Sequence, residues 1–221
     1  MKKIITIITI TVIASGSLLA QNINWRSLSH DQRHIAYVNF GYDYSMTAQF
    51  GYGYKLGKNN PVLLSADYSF PMGNNLFDDH KVRIGGQIEA FSWKNFSLTA
   101  RVMMVYRRYA NEMVRIVNFG SEFSAIAGYY KRNWYIAGEF GFDKSVISHL
   151  RHSETIIDYY PEITDGWYMP SGGNYFYGIT GGVTIFNDFD LNARVGLTNA
   201  QKNDEDPAIP YYLQIGLIKR F

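Results

Sequence analysis

Two groups of side chains in this sequence have the chemistry for a site. The first lies within positions 144–174, where His149, His152, Glu154 and Asp158 are followed by Tyr159, Tyr160, Trp167 and Tyr168. Imidazole and carboxylate are the ingredients of a metal centre or an acid/base pair, and Asp78, Asp79 and His80 supply more of both elsewhere. No specific ligand spacing orders them, so solvated or interface side chains are the plainer account, and no metal or cofactor is expected. The rings offer flat faces to a sugar or a partner protein. The second group is Asp67, Arg83, Glu89, Arg101, Glu122, Glu139 and Arg194, charges of both signs set singly among apolar neighbours.

Several classes of chemistry are excluded outright. The chain has no cysteine, so it has no disulfide, no thiolate metal site, no cysteine nucleophile and no cysteine to carry a lipid. No glycine-rich phosphate loop and no nucleophile elbow appear. The formal net charge of +2 is small and dispersed, which argues against nucleic acid as a partner.

The elements that must position these residues are read from the period of the apolar residues. With 18 Tyr, 14 Phe and only 6 Pro in 221 residues, the composition suits strands rather than helices. From His34 onward every second residue is apolar in segment after segment. Met46, Ala48, Phe50, Tyr52, Tyr54 and Leu56 form one such face, and Thr47, Gln49, Gly51, Gly53 and Lys55 form the other. Ten segments of this kind, the last running from Tyr211 to Leu217, predict a closed antiparallel up-and-down barrel of ten strands. Eight to twelve strands fit the pattern, and twelve would follow if 144–174 folded into a hairpin.

Alternation alone does not say which face is outside, because a soluble barrel alternates with its apolar face inward. The minor face settles it as an expectation. Asp67, Arg83, Gln87, Glu89, Arg101, Glu122, Glu139, Asp190, Arg194 and Gln214 mixed with small residues suit a polar lumen, leaving the apolar face to lipid. Connection lengths agree. Segments at 57–60, 93–95, 131–133 and 187–188 are tight and carry Asn, which tolerates the backbone of narrow turns, whereas 71–80, 144–174 and 199–210 are long. Short turns on one side and long loops on the other place both termini on the periplasmic side.

Positions 1–20 read as Lys2 and Lys3, an apolar stretch and a small-residue end, the layout of an export signal cleaved after Ala20. Positions 21–33, with Trp25 and His30, are then a periplasmic N-terminal segment, either disordered or folded into the barrel mouth, and 34–221 form the barrel. The closing strand ends on Phe221, aligned with Leu217, Ile215, Leu213 and Tyr211. Here the sequence resembles bacterial outer-membrane β-barrel proteins. That resemblance implies an outer-membrane location, lipid as the surrounding partner, and Phe221 as the signal read by the barrel-assembly machinery.

The expected function is structural, adhesive or that of a narrow, porin-like pore, with an external ligand or envelope protein as a further partner. The lumen charges are a salt-bridged plug or the lining of a pore. The alternatives are a lipid- or peptide-cleaving hydrolase at the external rim and an accessory subunit of an envelope complex. Asp78 and Asp79 with His149 or His152 echo the omptin proteases in composition only. His152-Ser153 falls within 144–174 rather than on a strand wall, so the Ser and His of lipid A deacylases and outer-membrane phospholipases are not carried over.

Overall fold

Each alternating segment forms a strand that pairs with its neighbours along the chain. The computed structural model describes residues 22–29, 31–57, 61–73, 78–169, 173–201 and 209–221. The expected export signal, its cleavage site and His30 lie outside them. The strands are β1 (His34–Tyr42), β2 (Met46–Leu56), β3 (Val62–Pro71), β4 (Asp79–Trp93), β5 (Phe96–Ala110), β6 (Val114–Tyr130) and β7 (Trp134–His152). A short helix α1 (Glu154–Tyr159) and strand β8 (Gly166–Tyr168) follow, then β9 (Gly173–Phe186), β10 (Phe189–Ala200) and β11 (Tyr211–Arg220).

Ten of these strands close into a ring. Consecutive strands from β1 to β7 pair antiparallel, β7 passes to β9, and β11 returns to β1 with Val38 opposite Leu217 and Phe40 opposite Ile215. Strand β8 stands apart from the ring and pairs only with the outer end of β7. The long connection therefore contributes one short strand and leaves the ring at ten. Phe221 completes the seam, since its N–H donates to the His34 carbonyl at 2.8 Å and its carbonyl accepts from Arg33 N–H at 2.9 Å.

The wall is apolar outside and polar inside, the reverse of a soluble protein. Met104 is 67% exposed and Ile179 56%, whereas Arg83 is 2% exposed and Asn39 and Thr99 are fully buried. Only lipid makes this inversion favourable, and the closed ring satisfies the strand amides where no water can. Aromatic rings band both ends of the outer face. Phe40, Phe50, Phe70, Tyr68, His80, Tyr106 and Phe119 follow one another around the external end at centroid separations of 5.3–6.4 Å. Trp93, Phe96, Tyr129 and Trp134 do so at the opposite end. Tyr130 points inward and stacks on Tyr135 at 5.1 Å, because it follows Tyr129 by one residue and so falls on the other face.

Two local details differ from the expectation. In the turn at 93–95, Lys94 rather than Asn95 takes the left-handed backbone, with φ 54°. Strand β7 also runs on to His152, well into the segment expected to be loop. Ser145 and Ile147 face the consecutive residues Gly120 and Phe119, so Val146 is an unpaired bulge. One extra residue reverses the alternation beyond it and hides the strand from a period-two reading.

Candidate functional site

The inward residues form three layers. At mid-height, Asp67, Arg83, Arg101, Glu122, Glu139 and Arg194 make one ion-paired hoop. Arg83 Nε donates to Asp67 Oδ1 at 2.9 Å, its cross-strand neighbour, and Arg83 Nη1 reaches Glu122 Oε2 at 3.3 Å. Arg101 Nη2 bridges Glu122 Oε1 at 2.9 Å and Glu139 Oε1 at 3.2 Å. Arg194 closes on Glu139 at 2.5 and 3.0 Å and donates from Nη1 to Gln214 Oε1 at 3.0 Å. Tyr37 hydroxyl donates to Asp67 Oδ2 at 3.2 Å. Three carboxylates and three guanidinium groups alternate, so the hoop is neutral, as buried charge requires.

The partners sit on β3, β4, β5, β6, β7 and β10, and none of them is more than 6% exposed. Glu89, expected among them, lies nearer the β4–β5 turn, where it accepts from Ser97 Oγ at 2.6 Å. It takes no part in the hoop's ion pairs.

Outward of the hoop, the lumen opens into a vestibule of about 200 Å³. Its wall includes Arg83, Glu122 and Arg194 from the hoop, with Lys81, Arg107, Asp43 and Asp143 above them. Lys81 pairs with Asp43 at 2.9 Å, and Arg107 pairs with Asp79 at 2.7 Å and lies over the Tyr44 ring. Sequence reasoning missed Lys81 and Arg107, although their odd numbering within β4 and β5 already put them on the face of Arg83 and Arg101.

At the end of the barrel that carries both termini, residues 22–29 fold into the mouth. Ile23 and Trp25 pack against Ile35, Tyr37, Leu63 and Ile218 in a buried apolar layer. Trp25 Nε1 donates to Thr99 Oγ1 at 2.9 Å, Asn22 Nδ2 to the Tyr130 hydroxyl at 3.0 Å, and Asn24 Nδ2 to the Lys131 carbonyl at 2.7 Å. Arg220, also missed, is 2% exposed; it pairs with Asp190 at 2.9 Å and donates to the Ser27 carbonyl. Ile23 meets Asp67 and Arg101 across a gap of only about 10 Å³, which places the segment directly beneath the hoop.

The external candidates are not brought together. His149 faces outward, its ring 4.8 Å from that of Trp167, the residue opposite it in β8. His152 turns to Asp165, which accepts from its backbone N–H at 2.8 Å and lies 2.9 Å from ring Nδ1. Asp79 faces inward on β4, separated from β7 by β5 and β6. The loose set of Asp and His therefore has no shared centre, and no group of three or more metal-ligating side chains occurs among the described residues. Tyr159, Tyr160, Trp167 and Tyr168 are exposed at the outer end of the β6–β7 extension. Beside the chain end, the Lys219 ammonium pairs with Asp188 and lies over the rings of Phe189 and Phe221 at 4.2 and 5.5 Å. A cation on the lipid face is thereby held at the interface.

A closed ten-stranded wall, apolar outside between two aromatic girdles and lined by buried ion pairs, defines a small outer-membrane β-barrel. Among solved structures the fold is similar to the KdgM porin in complex with oligogalacturonate, at 7% identity and a TM-score of 0.44 over 85% of this chain and 99% of that one. It is also similar to the NanC porin, at 9% identity and a TM-score of 0.39 over 85% and 100%. So loose an overlap carries no functional weight, and the class rests on the geometry above. No family model and no curated relative matches the sequence.

Proposed function

We propose that the barrel is a narrow, porin-like passage for small solutes, held shut by its own N-terminal segment. The position of Ile23 and Trp25 directly beneath the hoop carries this reading. The vestibule leads down to the hoop from outside, and residues 22–29 close the opposite mouth beneath it. They are joined to the wall, among the described residues, by ten hydrogen bonds and one apolar layer, a local unit whose opening leaves the strand ladders of the ring intact. The hoop is then the selecting constriction, and Tyr159, Tyr160 and Tyr168 flank the external entrance.

The test is conductance in a planar bilayer of the chain from Gln21, compared with a variant lacking 22–29, with insertion confirmed by heat-modifiable mobility. The intact chain is expected to be silent or to open briefly, and the shortened one to give steady, discrete openings. In the shortened chain Glu122→Gln is expected to shift selectivity toward anions, since it leaves the hoop with one excess positive charge. An inserted, shortened barrel that stays silent would show that the lumen is a structural plug.

A further inference from the structure

We propose that Arg115 and Arg151 form a site on the outer wall for the phosphorylated headgroup of an outer-leaflet lipid. The two residues are directly opposite each other across the β6–β7 ladder, both exposed, and both on the face that carries Phe119 and His149. Like charges facing each other across a ladder are destabilising. Among the described residues neither is in an ion pair. A third cation, Arg108, faces Val117 on the same outward face, two residues nearer the membrane. The sequence therefore sets two like charges side by side on the wall at Arg115 and Arg151.

Height identifies the occupant. Tyr106, Phe119, Trp167 and His149 continue the external girdle at ring separations of 4.8–6.4 Å. Arg151 lies two residues beyond His149, roughly 7 Å further along the strand at the usual rise. Girdle rings mark the depth where hydrocarbon gives way to headgroups, so the pair stands at headgroup level. An open cleft of about 290 Å³ runs past it, lined by both arginines and by Glu112, Met113, Val114 and His152. Two neighbouring arginines lining one cleft suit a phosphate, which takes paired N–H donors. The outward face makes that phosphate part of a lipid rather than a free ion.

The inference rests on the membrane placement of the barrel and is independent of whether the lumen conducts. It is tested with the chain from Gln21 in neutral detergent, using bis-phosphorylated lipid A, its dephosphorylated form and inorganic phosphate as probes, read by native mass spectrometry. The protein is expected to retain the phosphorylated lipid at least tenfold better than the dephosphorylated one. R115Q/R151Q is expected to lose that preference by about tenfold or more while keeping heat-modifiable mobility. If this variant does not fold, R115K/R151K, which keeps the charge without the planar fork, is expected to bind several-fold more weakly. Equal retention of both lipid forms, an unchanged preference in the folded variant, or equal competition by inorganic phosphate would overturn the proposal.

Discussion

Tyr37 faces Gly51 across the β1–β2 ladder, and its ring fills the space a side chain at 51 would take: a Cβ there would lie 2.1 Å from the ring Cζ. The pairing lets an inward tyrosine lie flat along the wall and reach Asp67. Gly182 serves Tyr135 in the same way, a Cβ there meeting the ring Cε1 at 2.7 Å. Gly51→Val is expected to push Tyr37 off Asp67 and to destabilise the barrel by about 1–3 kcal/mol, the usual scale of overpacking. Urea unfolding in lipid vesicles measures it, and an unchanged midpoint would remove Tyr37 from the account of the hoop.

Glu139 holds both Arg101 and Arg194. Glu139→Leu leaves two buried guanidinium groups without that carboxylate, at an expected cost of about 3–5 kcal/mol. Replacing both partners of a pair behaves differently. Asp67→Leu with Arg83→Met is expected to cost less than Asp67→Leu alone, because the hoop stays neutral and Glu122, which loses Arg83, is still held by Arg101. A double-mutant cycle on the unfolding midpoints decides this.

Docking of the N-terminal segment gives a protease signature. Arg26 stands at its exposed side, with Nη2 on Ser92 Oγ at 2.5 Å and on the Lys94 carbonyl at 2.7 Å. Trp25→Ala removes the ring that anchors the segment and its bond to Thr99. Trypsin is expected to cut after Arg26 at least tenfold faster in this variant while the barrel stays intact. Equal rates would mean that the segment does not depend on Trp25.

Asp165 makes the external extension sensitive to acid. The backbone N–H of His152, then its ring, holds the Asp165 carboxyl below the usual carboxylate range. A depressed folded value means that the carboxylate's stabilisation is complete above the ordinary value of about 4 and is lost as pH falls through the lower folded one. Hydrogen exchange at the His152 amide is expected to accelerate at such pH, and Asp165→Asn to abolish the pH dependence. Acceleration that persists in the variant would place the acid sensitivity elsewhere.

The sequence by itself determined the ring and its polarity. Phe50, Tyr52 and Leu56 against Gln49 and Thr47 repeat with period two, and in a strand that period assigns faces without reference to anything distant. The face of Asp67, Arg83, Arg101, Glu122, Glu139 and Arg194 was legible for the same reason, as were the ten strands from the alternation of short and long connections. Only the tertiary structure decided who pairs with whom. That Glu139 bridges Arg101 and Arg194 depends on where strands far apart in the chain meet around the ring, and local period carries no such information. The bulge at Val146 turned a strand into an apparent loop and moved His149 and His152 onto a wall, where no site joins them. Asn22, Ile23 and Trp25 have no period of their own, so their place beneath the hoop follows from the shape of the mouth that Ile35, Leu63 and Ile218 build, a shape that exists only once the ring has closed.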